Sequence, residues 1–153
     1  MISVPVAIAL GSNLGDRERQ LHEAGERLAA FVDDLRLSPF CETDPVDVGP
    51  QPRFLNAAAV GRTALTARAL LDRLLDTERA CGRVRPAVGA PRTLDLDLIL
   101  YGDAVIDEPG LVVPHPRFRG RAFVLAPLAT VAPDWRDPVT GLTVQALLDR
   151  VGR

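Results

Sequence analysis

The sequence predicts an α+β domain whose core elements follow in the order β-α-β-β-α-β. Short apolar runs typical of strands cover residues 4–10, 35–42, 54–62 and 94–100. The first and third runs are each followed by apolar residues at helical spacing, which is typical of amphipathic helices. This order is the split βαβ, or ferredoxin-like, arrangement, in which an antiparallel sheet carries its helices on one face.

We expect the first and last of these strands to run parallel at the centre of the sheet. That would bring Gly11-Ser12-Asn13 close to Asp95 and Asp97. The glycine-containing segment is interpreted as a tight strand-to-helix turn, or as a place where an anion or ligand approaches the backbone. Three long loops, among them residues 43–53 and 83–92, should gather at one edge and form a cleft.

Two amphipathic helices follow the glycine-rich turn and the third strand. The first has Asp16 in its first turn and an apolar stripe at Leu21, Ala24, Leu28 and Val32. The second is capped by Thr66, ends at Gly82, and has its stripe at Ala67, Leu70, Leu71, Leu74 and Leu75. The same stripe extends to Glu78, which is either buried with a cationic or hydrogen-bonding partner or solvated in a frayed last turn.

A C-terminal extension with short strands and helices is expected to follow the core. It comprises a hairpin formed by residues 105–106 and 111–113, a short helix over 123–131 and a last helix capped by Thr143. No internal repeat or linker interrupts the chain, so its 153 residues are predicted to form a single domain, 1–153.

The amino-acid composition excludes several classes of function for this chain. The chain has no lysine among its 18 basic residues, which excludes a P-loop nucleotide site and lysine Schiff-base chemistry. A net charge of −2 gives no indication of nucleic-acid binding, and no apolar run is long enough to span a membrane. Without a signal-peptide pattern, we expect a cytoplasmic protein in which Cys41 and Cys81 are free thiols.

Asp95 and Asp97 interrupt an otherwise apolar strand. Residues two apart in a strand point to the same face, about 7 Å apart along the backbone. The pair is interpreted either as a divalent-metal site or as the solvated acidic face of an amphipathic strand. The nearby arginines of loop 83–92 favour phosphoryl chemistry, in which cations stabilise the moving charge, although a solvated basic loop is the alternative.

Two further polar residues are candidates for binding. Asn56 lies in an apolar strand, so its amide needs partners and either holds a neighbouring loop or binds the polar edge of a ligand. His115 is flanked by prolines and followed by three arginines, which favours an anion-facing role over a structural one.

An ordered set of motifs resembles the 6-hydroxymethyl-7,8-dihydropterin pyrophosphokinase family. The resemblance covers about residues 4–133. The motifs are Leu10-Gly11-Ser12-Asn13-Leu14-Gly15, Phe54-Leu55-Asn56-Ala57-Ala58, Gly82-Arg83-Val84-Arg85, Pro91-Arg92-Thr93-Leu94-Asp95-Leu96-Asp97, Val113-Pro114-His115 and Arg121-Ala122-Phe123. It implies a folate-pathway enzyme that transfers pyrophosphate from ATP to the pterin hydroxymethyl group and releases AMP.

The resemblance also implies roles for individual residues. Asp95 and Asp97 match the ligands of two Mg²⁺ ions, and Arg83 and Arg92 match catalytic arginines. The nucleotide positions are Glu78, Arg83, Arg92, Leu98, His115 and Arg121. The pterin positions are Thr43, Asp44, Val46, Phe54, Asn56 and Phe123, with the two phenylalanines sandwiching the ring.

A second hypothesis is a catalytically silent ferredoxin-like module that binds a nucleotide or small metabolite, because a fold alone does not fix function. The carboxylate pair favours the enzyme. A monomer with small-molecule substrates, and neither nucleic acid nor membrane as partner, is expected.

Overall fold

The computed structural model describes residues 2–13, 15–43, 53–81 and 94–152. In these residues the strands are β1 (Val4–Ser12), β2 (Asp33–Leu37), β3 (Cys41–Thr43), β4 (Phe54–Thr63), β5 (Asp95–Tyr101), β6 (Ile106–Glu108) and β7 (Leu111–Val113). The helices are α1 (Arg17–Leu28), α2 (Ala67–Ala80), α3 (Ala122–Val131) and α4 (Val144–Val151). This order confirms the predicted core, with its second strand divided into β2 and β3.

The main sheet has the hydrogen-bonded order β2-β4-β1-β5, and β3 also pairs with β4. The prediction that the first and last core strands run parallel is wrong, because β1 and β5 are antiparallel and β5 ends the path. Helix α2 carries the chain over β1, so that β5 returns parallel to β4 with β1 between them and antiparallel to both. The expected proximity is confirmed, since Gly11 pairs with Asp95.

The predicted second strand, 35–42, is interrupted at residues 38–40. Pro39 has no backbone N–H to donate to a sheet. The preceding Ser38 donates its own N–H to the Ala58 carbonyl at 2.8 Å, and its hydroxyl accepts the Ala58 N–H at 2.8 Å. The serine side chain therefore replaces a backbone acceptor where the strand breaks.

Successive side chains of a strand point to opposite faces of the sheet, so the hydrophobic core has one part on each face. Val6, Ile8 and Leu10 pack with buried residues of α1 and α2, whereas Ala7 and Ala9 face α3 and α4. Helices α1 and α2 therefore cover one face, as predicted, and the C-terminal extension covers the other. Small side chains on that second face let α3 lie close to the sheet.

The predicted helix caps Thr66 and Thr143 are confirmed, since each accepts a hydrogen bond from the backbone N–H three residues further on, at 3.1 Å. Asp16, predicted in the first turn of α1, is instead its N-cap and accepts the Arg19 N–H at 3.1 Å. Helix α1 ends before Val32, which is nevertheless buried. Gly82, the predicted end of α2, lies outside the described residues. Among the helices of the described ranges, none has the length and apolar character that a membrane span needs.

A buried ion pair fastens the chain after α3 to the 3-10 turn Phe118–Gly120. Asp137 is fully buried and accepts hydrogen bonds from Arg119, from the Thr140 hydroxyl at 2.7 Å and from the Val139 N–H at 3.0 Å. Burial opposes ionisation of Asp137, but these hydrogen bonds outweigh it and lower the pKa to about 2. The carboxylate is therefore charged at neutral pH.

Candidate active site

Four strands place Cys41, Asn56, Gly11 and Asp95 in one row across the sheet. Asn56 pairs with Cys41 on one side and with Gly11 on the other, and Gly11 pairs in turn with Asp95. Directly paired residues of antiparallel strands project to the same face. This sheet row therefore lies on the face covered by α3, at the end of the sheet where β1 leaves for α1.

The carboxylates of Asp95 and Asp97 project from this face of β5. Asp97 is exposed and Asp95 is partly buried, while Leu96 between them is buried against the opposite face. In the described ranges, no group of three or more acidic, histidine or cysteine side chains is placed to hold a metal. Two carboxylates nevertheless fit Mg²⁺, which is commonly bound by one or two carboxylates together with substrate phosphates.

Glu78 connects the end of α2 to the strand that carries both aspartates. Its side chain is 3% exposed, and its Oε2 accepts the Leu96 N–H at 2.7 Å. The interpretation that Glu78 is buried with a hydrogen-bonding partner is confirmed, and the solvated last turn is wrong. Because Leu96 lies between Asp95 and Asp97, Glu78 fixes the backbone of β5 at the carboxylate pair.

We expect Glu78→Ala to lower the free energy of unfolding by about 1–3 kcal/mol, because a buried N–H then has no acceptor. Turnover should fall as well, since the support of β5 at the aspartates is lost. Urea denaturation and steady-state kinetics measure the two effects. Glu78→Gln, which keeps an acceptor oxygen, is the matched control, and equal losses in both variants would contradict a role for this hydrogen bond.

The hydrogen bonds of His115 define which of its ring nitrogens carries the proton. Its N–H donates to the Ile99 carbonyl at 3.0 Å, and its Nδ1 accepts the Arg117 N–H at 3.2 Å. Nε2 therefore carries the proton of the neutral ring. Burial lowers the pKa of His115; the Asp97 carboxylate opposes this effect, and Arg121 and Arg117 add to it. At neutral pH His115 is an uncharged hydrogen-bond donor.

Aromatic and cationic side chains lie on the same face. Phe54 is two residues before Asn56 in β4, and Phe123 is the second residue of α3; both are partly buried. The Arg121 guanidinium carbon lies 5.5 Å from the centroid of the Phe123 ring. By contrast, Leu98 is buried on the α1 and α2 face, so any contact it makes with a nucleotide would use its backbone.

Part of the predicted site lies outside the described residues. Asp44, Val46, Arg83 and Arg92 lie within residues 44–52 and 82–93, outside the described ranges, so their predicted roles stay predictions. The gathering of three loops into a cleft also stays a prediction. Thr43 ends β3, where its register partner is Phe54.

The sequence did not predict a charged cluster formed by Arg17, Glu42 and Arg53. Arg17 donates to Glu42 and to the Arg53 carbonyl, both at 2.6 Å, and Arg53 pairs with Glu42 at 2.8 Å. The hydrogen bond from Arg17 is the main cause that lowers the pKa of Glu42; desolvation opposes it, and the charges of Arg17 and Arg53 add to the lowering. These partners are 25 and 36 positions apart, a separation that no local periodicity reports.

Comparison with known proteins agrees with this geometry. The family model described as 7,8-dihydro-6-hydroxymethylpterin-pyrophosphokinase matches residues 7–133. The chain is 40% identical to a 2-amino-4-hydroxy-6-hydroxymethyldihydropteridine pyrophosphokinase of Synechocystis, covering 94% of this chain and 74% of that one. It is 43% identical to the protein of the same name from Pseudomonas aeruginosa, covering 87% and 83% respectively.

Solved structures show the same fold. A crystal structure of Plasmodium falciparum HPPK-DHPS superposes with a TM-score of 0.77 at 13% identity, over 97% of this chain and 45% of that one. This chain therefore spans less than half of that longer protein, and the likeness concerns the fold alone.

Fold and relatives together define an α+β enzyme of ferredoxin-like architecture that transfers a phosphate-containing group. The chain belongs to the 7,8-dihydro-6-hydroxymethylpterin-pyrophosphokinase family. It transfers pyrophosphate from ATP to the hydroxymethyl group of 6-hydroxymethyl-7,8-dihydropterin in folate biosynthesis, giving AMP and the pterin diphosphate.

Proposed function

We propose that Asp95 and Asp97 are catalytic residues that bind two Mg²⁺ ions next to the triphosphate of ATP. The observation that supports this assignment is the position of both carboxylates on one face of β5, with the intervening residue fixed by Glu78. Bound Mg²⁺ would neutralise phosphate oxygens and so reduce the charge that the attacking oxygen meets.

The remaining residues divide between the two substrates. Glu78, Arg83, Arg92, Leu98, His115 and Arg121 are proposed for ATP, and Thr43, Asp44, Val46, Phe54, Asn56 and Phe123 for the pterin. The Nε2–H of His115 and the Arg121 guanidinium are donors suited to phosphate oxygens. Since Arg121 lies against one face of the Phe123 ring, the pterin would stack on the other face, towards Phe54.

These residues hold the pterin hydroxymethyl oxygen in line with the β-phosphorus. The oxygen forms a bond to that phosphorus, the bond from the β-phosphorus to the bridging oxygen of AMP breaks, and the hydroxymethyl proton is released. Arg83 and Arg92 stabilise the charge that develops on the phosphate oxygens. The main contribution of the chain to catalysis is therefore to position the two substrates.

We also propose that the chain forms one domain, acts as a monomer and works in the cytoplasm. Both substrates are small molecules, and neither nucleic acid nor membrane is a partner. Sedimentation of the purified protein tests the monomer.

The first experiment is to measure AMP formation from ATP, with and without 6-hydroxymethyl-7,8-dihydropterin, in Mg²⁺ and in EDTA. AMP that appears only when pterin and metal are both present is the expected result. Pterin-dependent AMP of unchanged rate in EDTA would overturn the metal assignment. No AMP from a folded protein would favour a silent binding module.

Among the loop arginines, Arg92→Ala is expected to lower kcat by about a hundredfold or more, with a much smaller change in pterin affinity. The reason is that its charge acts on the transferring phosphate groups. Single-turnover kinetics measure the chemical step, and Arg150→Ala, at the end of α4, is the control. A defect confined to KM would contradict the assignment.

A further inference from the structure

The charged cluster of Arg17, Glu42 and Arg53 joins three separate parts of the chain through one guanidinium. Arg17 is the first residue of α1, Glu42 lies in β3, and Arg53 directly precedes β4. The two terminal nitrogens of Arg17 have different acceptors: Nη2 donates to Glu42 Oε2 and Nη1 to the Arg53 carbonyl oxygen, each at 2.6 Å. Glu42 binds Arg53 Nη1 through its other oxygen, Oε1, at 2.8 Å. The planar fork of one arginine therefore links the end of β3 to the start of β4.

Both acceptors of Arg17 are next to the last residue pair of these two strands. Thr43 is the register partner of Phe54, and Glu42 directly precedes Thr43. The carbonyl of Arg53 and the N–H of Phe54 belong to one planar peptide group. A hydrogen bond to that carbonyl oxygen therefore restrains the peptide plane from which Phe54 extends.

Glu42 projects to the opposite face of the sheet from the proposed pterin residues. It pairs with Leu55, which is buried among residues of α1 and α2, and paired residues of antiparallel strands project to the same face. Phe54 and Asn56 lie on either side of Leu55 in β4, so they project to the other face. Arg17 therefore acts on a bound pterin through the backbone of the strands and not by contact.

The strand ends at Thr43 and Phe54 need a restraint from outside the two strands. Residues 44–53 separate them, too many for a two-residue turn that would itself fix the register, and β3 contributes only three pairs to the ladder. The side chains of Arg17, Glu42 and Arg53 are 29%, 37% and 53% exposed. Because water screens such charges, we expect the cluster to add little to global stability and to act mainly on the local position of the strand ends.

We infer that Arg17 is a positioning residue for the pterin, and that it fixes Phe54 from the opposite face of the sheet through Glu42 and the Arg53 carbonyl. This inference rests on the proposed function, in which Phe54 stacks on the pterin ring. Stacking depends on the distance and tilt of the two rings. Binding also costs free energy when a loosely held side chain must become ordered. A Phe54 that is already fixed therefore binds the pterin more tightly.

The test is Arg17→Ala, with the Kd of 6-hydroxymethyl-7,8-dihydropterin measured by calorimetry in the presence of Mg²⁺ and a non-hydrolysable ATP analogue. We expect this Kd to rise about fivefold or more, because the whole network of charges at the strand ends is lost. The Kd of the ATP analogue should not change. Unchanged pterin affinity would overturn the inference, and so would an equal rise in both Kd values, which would indicate general damage to the site.

Arg68→Ala is the matched control, because Arg68 makes the same kind of contacts away from the site. It lies in the first turn of α2 and donates to the Glu108 carboxylate at 2.8 Å and to the Pro109 carbonyl at 3.1 Å. Pterin affinity in this variant should equal that of the unaltered protein. A rise in the pterin Kd as large as that in Arg17→Ala would overturn the inference.

A double-mutant cycle with Phe54→Leu tests the route of the effect, since leucine keeps an apolar side chain without the ring. If Arg17 acts through Phe54, Arg17→Ala should weaken pterin binding much less in the Phe54→Leu background. An undiminished loss would overturn the inference. Pterin-dependent AMP formation by the unaltered protein is measured alongside. Its absence would count against the proposed function, whereas normal AMP formation with unchanged pterin affinity in Arg17→Ala would count against this inference alone.

Arg17→Lys covers the case in which Arg17→Ala does not fold. Lysine keeps the positive charge at the start of α1, but its single ammonium lacks the fork that reaches Glu42 and the Arg53 carbonyl through two nitrogens. The pterin Kd should therefore rise in this variant as well. Pterin affinity equal to that of the unaltered protein would overturn the inference.

Discussion

Asp97→Ala is expected to lower kcat by at least about a thousandfold while the protein remains folded. The carboxylate is exposed, so its removal opens no cavity in the core. Asp97 is proposed to bind Mg²⁺ at the triphosphate, so its loss would remove charge stabilisation from the transition state. Turnover should therefore collapse without a matching change in thermal stability.

The measurement is pterin-dependent AMP formation at saturating Mg²⁺, with circular dichroism to establish the fold. Asp107→Ala removes another exposed strand carboxylate, in β6, and is expected to retain full activity. Turnover close to that of the unaltered protein in Asp97→Ala would remove the metal role.

The largest loss of stability is expected from Asp137→Asn, at about 3 kcal/mol in the free energy of unfolding. The substitution removes the charge that Arg119 faces and disturbs the hydrogen bonds from Thr140 and Val139. Because Arg119 keeps 27% of its side chain exposed, water stabilises part of its unpaired charge. The loss should therefore be at the lower end of what breaking a buried ion pair costs. Urea denaturation at pH 7 measures it.

The same carboxylate predicts a pH dependence of stability. The pKa of Asp137 is about 2 in the folded chain and 3.8 at its ordinary value, so the unfolded chain takes up the proton first as pH falls. The contribution of about 2 kcal/mol is complete above pH 4 and is lost as the pH approaches 2. The difference in stability between the unaltered protein and Asp137→Asn should shrink over this range, and a constant difference would contradict the assignment.

Local chemistry explains which structural predictions were confirmed. Caps such as Thr66 and the apolar stripe that ends at Glu78 depend on residues three or four apart, so the sequence contains the needed information. The position of Asp95 and Asp97 on one face of a strand also depends only on residues close in sequence. The direction of β5 relative to β1 is a long-range property, because it depends on which strand lies between β4 and β5.

In the candidate site, too, the features set by residues close in sequence were predicted, and the contacts between distant residues were not. The motifs around Asn56 and Asp95 were predicted from the sequence, but their alignment in one row with Gly11 depends on register between strands distant in the chain. The cluster of Arg17, Glu42 and Arg53 also joins distant elements through side-chain ends. Such contacts follow from tertiary packing, for which periodicity has no signal.

The central place of β1 in the sheet has a consequence for how the chain folds. Val4 pairs with Thr63, and Val6 pairs with Tyr101, so both neighbours of β1 come from strands that follow it at long sequence separation. Pairings of such long sequence separation form slowly, because loop-closure entropy is lost before the contacts are made. The carboxylates of β5 reach Gly11 only when this closure is complete. The candidate site is therefore assembled in one late step of folding, when β5 pairs with β1.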